Sequence, residues 1–334
     1  MGISLGIINN IRLNASEDYQ KYIPEATTQN IAQVGNALQE YTPLFNEFCE
    51  ALIHKIGKTM LEQALFTNKL ARFKAGTVLT GQDVEEIFVA MANDPEQYDP
   101  AGPNPLGRRE PSDVKVLYHR MNRRNVYVIS IGDMDFSRAF RSEATLDAFI
   151  KAQIQSVYTR AEYDEWLLMK ELFSTHIDDM SVAMVGADPY DDMAIFAKEF
   201  VKTTRKLVQD MSFMSDKFNS AGVMTKTDPS KLVLFVNKDL LAEVDVEVLA
   251  KSFNMGKTDF VTRVIAMDDF GSIEQQPVAI LADEDWFKVF DVLSRMEPQR
   301  NAHGMFTNYF YHVWQILSAS RFKNAVAIGW STGL

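Results

Sequence analysis

Cysteine is nearly absent. Cys49 is the single one in 334 residues, which excludes an intrachain disulfide and any metal site built from several thiolates. That fits a reducing compartment, and a cytoplasmic origin is the simplest expectation. Long apolar runs are missing too. None approaches the ~20 residues of a spanning helix, so no membrane partner is expected. The opening stretch MGISLGIINNIRLNASEDY has no basic leader and no long apolar core, so a signal peptide is not expected either. Histidine is sparse, with five scattered copies at positions 54, 119, 176, 303 and 312. Glycine-rich phosphate loops, a G-x-S-x-G elbow and an H-E-x-x-H pair do not occur. Basic residues are outnumbered: 34 Lys and Arg stand against 45 Asp and Glu, a formal net charge of −11. A surface built broadly to grip nucleic acid needs the opposite sign.

What is present is the composition of an ordinary globular chain, 46% hydrophobic and 24% charged, with length for two or three domains. The first ~60 residues read as a helical arm with no obvious partner. Within it Thr42 and Pro43 suit a helix start, Phe45, Phe48, Cys49, Leu52, Ile53 and Ile56 follow at helical spacing, and Gly57 ends the run. From Asn68 to Ile131 the pattern turns strand-like, in LARFKAGTVLTG, VEEIFVAMA and DVKVLYHRMNRRNVYVISI. Between these lies a segment holding Pro95, Pro100, Pro103, Pro105 and Pro111, which cannot be a helix or a central strand. The whole reads as a long hairpin excursion without a core of its own, so it must pack on something else.

A helix capped by Ser142 follows. Leu146, Ile150, Ile154, Val157, Tyr158, Ala161 and Leu168 keep one apolar stripe over about 28 residues, a rod of roughly 40 Å and a natural spine for a sheet. A second helix is expected from Asp188 and Pro189. KLVLFVNKDL has the near-continuous apolar run of a strand buried on both faces. DVEVLAKSF reads as a short helix, TRVIAMDDF and PVAILADEDWFKVFDV as strands, and TNYFYHVWQILSASRFKNAVAIGW as two long strands parted near SASRFKN. No internal repeat, coiled-coil heptad or low-complexity tract interrupts this order.

The clusters that chemistry would need are weak. His176 with Asp178 and Asp179 is better read as a solvated helix end than as a metal set. Asp268–Asp269 and Asp283–Glu284–Asp285 sit after strands, where acids cap turns, and no metal or cofactor is expected at either. Cys49 lies on an apolar helix face, the setting of a core thiol and not of a nucleophile. Met211–Val223 fits either an adaptable binding surface or a helix end packing into a core. In NYFYHVW, extended backbone puts Tyr309, Tyr311 and Val313 on one face and Phe310, His312 and Trp314 on the other. The chain's acidity favours a sheet under the spine helix over base stacking there. One basic concentration stands out, YHRMNRRNVYVIS, with His119, Arg120, Arg123 and Arg124 beside strand-forming residues.

Taken in order, these pieces resemble the major capsid proteins of tailed bacteriophages, with their HK-ninety-seven-like α+β fold. Several segments are similar to head proteins of small phages of the phi-twenty-nine type: IPEATTQNIAQVGNAL, EEIFVAMANDPEQYDP, YHRMNRRNVYVISI, FMSDKFNSAGV, DVEVLAKSFNM and NYFYHVWQILSASRFKNA. The resemblance implies an N-terminal arm at 1–65 and an extended β-hairpin loop at 66–130. It implies a spine-helix peripheral domain at 131–229 and 301–334, and an axial domain at 230–300. It implies a structural subunit, not an enzyme, that self-assembles through pentamers and hexamers into an icosahedral head. That head would be built in the bacterial cytoplasm with scaffolding and portal partners, and would enclose double-stranded DNA without reading its sequence. An encapsulin-type nanocompartment shell and a soluble α+β enzyme remain the alternatives. In a shell the extended loop lies over a neighbouring subunit, so Arg120, Arg123 and Arg124 become candidate inter-subunit contacts, their planar forks matched to Asp or Glu. Solvated protection of a strand edge and a DNA contact are the competing readings.

Overall fold

A computed structural model of the chain describes residues 3–40, 43–44, 47–48, 51, 66–91, 111–139, 143–244, 263–274 and 276–330. In chain order the helices are α1 (Ile3–Asn14), α2 (Glu17–Tyr22), α3 (Ile31–Glu40), α4 (Asp133–Ala139), α5 (Glu143–His176), α6 (Met193–Met211) and α7 (Lys238–Glu243). The strands are β1 (Lys74–Thr77), β2 (Val84–Val89), β3 (Val114–His119), β4 (Arg123–Gly132), β5 (Ser181–Val185), β6 (Leu232–Asn237), β7 (Val264–Met267), β8 (Ala279–Asp283), β9 (Phe287–Asn301), β10 (Phe306–Ala319) and β11 (Ala325–Trp330). Contacts divide the chain into two units: residues 1–68, 122–166 and 291–315, and residues 69–121, 167–290 and 316–334. Among the described residues no helix is long and apolar enough to cross a membrane.

In the first unit β4 runs antiparallel to β10, with Arg123 opposite Gln315 and Ile131 opposite Thr307, and β9 lies on the other edge of β10. Period-two alternation turns Ile131, Tyr309, Tyr311 and Val313 to one face. There they meet Val157, Tyr158 and Ala161 of α5 and the apolar side of the arm, including Leu5, Ile8, Ile11, Tyr19, Val34 and Leu38. The arm therefore has the partner its sequence did not reveal, the sheet of its own chain. Its turns are tied by side chains: Ser16 caps α2 at Tyr19, Asn9 exchanges two hydrogen bonds with the backbone of Ala26, and Arg12 donates to Ile23 O. Of the helix expected over 42–57, Leu44 and Phe48 are helical and buried. Cys49, His54 and Gly57 lie outside the described residues, as do DVEVLAKSF, Ser142 and four of the five prolines between β2 and β3.

The second unit is built on a five-stranded sheet in the order β5-β11-β8-β6-β7. β6, β8 and β11 are its central strands, and nearly every residue in them is buried, as the unbroken apolar run of β6 requires. Leu232, Leu234 and Val236 turn toward α6, whose Phe196, Phe200, Leu207, Val208 and Met211 cover that face. Phe235 turns the other way, onto an aromatic cluster centred on Phe173. Phe173 stacks on Trp286 at 5.2 Å and 7° and meets Phe235, Phe287 and Phe270 edge-on at 5.0, 5.4 and 5.9 Å.

Three expectations change. α6 starts later than Asp188 and Pro189: its cap is Asp192, which accepts from the amides of Ala194 and Ile195, while Asp188 accepts from Tyr190 N to close the turn before it. The spine helix is longer than its apolar stripe, at 34 residues. The division expected at 229/230 and 300/301 runs through one sheet, because β5 and β11 hydrogen-bond alongside β6, β7 and β8. Pairing between strands far apart in sequence leaves no local trace, so the boundary could not be read from the chain.

Phe173 is fully buried, and Phe173→Ala should cost about 3–5 kcal/mol through lost transfer energy and a residual cavity. Denaturant unfolding measures this, and a loss below ~1 kcal/mol would mean that the cluster does not hold the second unit together.

Candidate functional site

The three clustered arginines have three different fates. Arg120, just past β3, is 75% exposed and pairs with Asp83 at 3.2 Å. Arg124 is exposed on β4, with its guanidinium 5.7 Å from the ring centre of its cross-strand neighbour Trp314. Arg123 is 3% exposed. It donates to Gln315 Oε1 at 2.5 Å, to Tyr127 Oη at 2.8 Å and to Ala161 O at 3.1 Å. The expectation that Arg123 reaches another subunit is therefore corrected. On a strand, neighbours in sequence point to opposite faces, so Arg123 and Arg124 cannot both face outward, and the chain's own interior takes Arg123.

The excursion that contains Arg120 is also two things. β4 belongs to the sheet of the first unit, whereas β2 and β3 pair antiparallel in the second, with Ile87 opposite Val116 and Val89 opposite Val114. One face of this hairpin is anchored. Phe88 packs on Phe322 at 5.6 Å, and Lys115 donates to Ala221 O at 2.9 Å. His119 is buried, with Nδ1 2.8 Å from Ser318 Oγ and Nε2 3.2 Å from Glu86. Glu86 also accepts from Ser320 Oγ at 2.8 Å and lies 3.4 Å from Lys288 Nζ. Burial alone would raise the Glu86 pKa; hydrogen bonds from His119 and Ser320, with Lys288 behind them, outweigh it and hold the carboxyl below its ordinary range.

Among the described residues nothing covers the other face of the hairpin. Ile87, Val89, Val114, Val116 and Tyr118 form a continuous exposed apolar row. The sequence puts Val114, Val116 and Tyr118 on one face of their strand, and in VEEIFV and VKVLYH both parities carry apolar residues, more than one buried face needs; that Ile87 and Val89 extend the row depends on the pairing and could not be read. Phe310, His312 and Trp314 of β10 are half-buried, while the alternate residues are the buried ones.

The acidic candidates are structural. Asp268 and Asp269 hold the buried ammonium of Lys170 at 3.0 and 2.7 Å. Burial disfavours that charge, but the two carboxylates overcome it and raise the Lys170 pKa. Asp283 accepts from Thr227 Oγ1 and from Asp285 N at 2.9 Å each, Glu284 pairs with Arg263, and Asp179 pairs with Arg321 at 2.9 Å. His176 lies edge-on to Trp286 at 5.9 Å, and burial lowers its pKa. His303 is exposed. Within Met211–Val223, Met211 is core, whereas Phe213 and Met214 are exposed. Among the described residues no group of three or more His, Cys, Asp or Glu converges on one point.

A family model described as Phi29-like phage major capsid protein matches residues 8–329. The major capsid protein of Bacillus phage B103 is 36% identical over 326 residues, 97% of this chain and 72% of that one. The major capsid protein of Streptococcus phage Cp-1 is 27% identical over 340 residues, 96% of this chain and 93% of that one. Among solved structures, a chain in the capsid structure of Staphylococcus phage Andhra superposes with a TM-score of 0.65 at 12% identity, covering 80% of this chain and 85% of that chain. At that identity the likeness speaks for the fold alone, the HK-ninety-seven-like capsid fold.

Because the Glu86 pKa is depressed in the folded chain, its contribution to stability is full above its ordinary value of 4.5. That contribution falls away as the pH drops through the lower folded value. Cleavage of the 84–119 region by an acid-tolerant protease should therefore rise as the pH is lowered from 6 to 3. Glu86→Gln should be cleaved faster than the wild type at pH 6 and lose part of that acid response. Identical pH profiles would separate the hairpin's attachment from this carboxylate.

Proposed function

The chain belongs to the Phi29-like phage major capsid protein family, a structural subunit of the virion shell and not an enzyme, and we propose that its β2–β3 hairpin is the element that docks each subunit onto the next. The observation that carries this reading is the hairpin's division of labour. One face is fixed to the chain through Phe88, Lys115, His119 and Glu86. The opposite face holds five exposed apolar side chains in a row. A two-stranded ribbon gains nothing for its own stability from such a row, and an exposed contiguous apolar patch marks a contact surface. Arg120 and Arg124 supply the charged part of the contact in this proposal; Arg123 is withdrawn from it.

Within this reading the arm is 1–65 and the extended loop ends at Met121, so that β4 joins the spine-helix peripheral domain. The axial domain, expected at 230–300, gains β5 and β11. Copies close into pentamers and hexamers by heterologous contacts. The head forms in the bacterial cytoplasm with scaffolding and portal proteins and encloses double-stranded DNA without reading its sequence. A net charge of −11 per chain supports the last point, since an acidic wall does not hold DNA to itself.

Two variants test the docking. Ile87→Asp with Val116→Asp removes two aliphatic contacts, each worth about 1.5–3 kcal/mol when buried. Particle yield by electron microscopy should fall more than tenfold while circular dichroism stays unchanged. Arg120→Glu with Arg124→Glu should impair assembly less, and the wild type should show a matching sensitivity to high salt. Normal shells from the aspartate variant would refute the docking role. Normal empty shells with poor packaging from the arginine variant would transfer those two side chains to the DNA.

A further inference from the structure

The second unit has an open cleft of about 360 Å³ whose charge runs against that of the chain. Its walls come from four places in the sequence: the short turn Ala71–Phe73, the start of β1, the residue before β7, and the turn Glu284–Trp286 with the start of β9. Arg72, Lys74, Arg263 and Lys288 line it together with Glu284 and Asp285. The carboxylates are already engaged. Glu284 pairs with Arg263, Asp285 lies 3.5 Å from Lys323 and 3.9 Å from Lys231, and Glu86 takes Lys288 at 3.4 Å. Among the described residues, the cleft's Arg263 and Lys288 are thus matched by Glu284 and Glu86, whereas Arg72 is matched by no carboxylate.

Arg72 is the centre of this imbalance. Among the described residues no carboxylate lies within ion-pair distance of it. Its guanidinium rests 4.8 Å from the ring centre of Phe73, and Phe73 stacks on Phe287 at 5.5 Å. Both rings are buried, so the floor of the cleft is apolar and screens little. Burial, and after it the neighbouring Arg263, disfavour the Arg72 charge, with Glu284 opposing them. A cation in that position gains more from an incoming anion than one on an open surface. A planar guanidinium beside an ammonium suits a carboxylate fork.

We propose that this cleft is an oxyanion seat, filled in the assembled shell by an Asp or Glu side chain of a neighbouring copy of this chain. The reading rests on the self-assembly described above. Copies bearing −11 each repel one another unless cationic hollows meet carboxylates, and the 45 acidic residues of each chain supply those carboxylates.

Carbodiimide coupling joins lysine to carboxylate only when the two are in contact, so it reads this pairing directly. Shells assembled in cells from a mixture of ordinary and nitrogen-15-labelled chains are coupled, digested and analysed by mass spectrometry. Peptides joining Lys74 or Lys288 of one isotope to an acidic residue of the other are expected, and they should be missing from unassembled subunits. Arg72→Glu should lower shell yield at least tenfold with unchanged circular dichroism, and Arg72→Lys should restore most of it. Shells whose Lys74 and Lys288 couple only within one chain, to Glu86, Glu284 or Asp285, would overturn the proposal. So would normal shell yield from Arg72→Glu, or an Arg72→Glu defect confined to DNA packaging. Failure of the wild-type chain to form shells at all would be a different result, removing the assembly reading beneath it.

Discussion

A guanidinium keeps its charge at any physiological pH, so burying one obliges the surrounding chain to arrange itself around it. Arg123 imposes that obligation here. Gln315 is the hinge of the arrangement, accepting from Arg123 and donating to Glu165 and to Asp291. Tyr127, which accepts from Arg123, donates in turn to Asp164, and Asn68 donates to Glu165. Strands β4, β9 and β10 and helix α5 therefore meet at one polar knot. The knot pins the pairing of Arg123 with Gln315, and with it the register of the sheet. A slip of β4 by one residue would carry the guanidinium to the open face. The face on which the arm rests, with Tyr309, Tyr311 and Val313, exists because that register holds.

Several other cations are used in the same inward manner. Lys170 is closed between Asp268 and Asp269, Lys288 is largely covered beside Glu86, and Arg300 meets Asp133 at 2.8 Å. Each such pair removes a positive charge from the surface, while the carboxylates of Asp268 and Asp269 remain about half exposed. Among the described residues, the surface around Lys170 therefore presents carboxylate and no cation. Copies of such a molecule can approach one another closely only at places where apolar area or uncompensated cations offset the repulsion.

Much of this was legible in the chain, and the boundary of legibility is physical. The unbroken apolar run of β6 announced a strand covered on both sides, and the two parities of NYFYHVW announced which of its residues share a face. The long apolar stripe announced the spine helix. These are local signals, carried by spacing within one element. What stayed hidden depends on partners elsewhere. The arm is amphipathic by sequence, but nothing in it says that β10 lies opposite. Asp188 and Asp192 are both competent caps, and packing of Phe196 and Phe200 into the sheet decides between them. Arg123 and Arg124 are identical in composition terms, and only the register of a strand 190 residues away in sequence separates the buried one from the exposed one. The cleft around Arg72 draws on positions 72, 74, 263 and 288, and no linear pattern could assemble it.

The hairpin of β2 and β3 has a bearing on how this gene would tolerate change. Its anchored residues, such as Glu86, Phe88, Lys115 and His119, alternate one by one with its open residues, such as Ile87, Val89, Val114 and Val116. Defects in folding and defects in assembly would therefore alternate with residue number along a dozen codons. Compensating second-site changes for the former would map to contacts such as Phe322 and Ser320 within the same molecule. For the latter they would have to arise in the surface that another molecule presents. Under the proposed docking, one short ribbon answers to two selections at once, and the pleat of the strand keeps them apart.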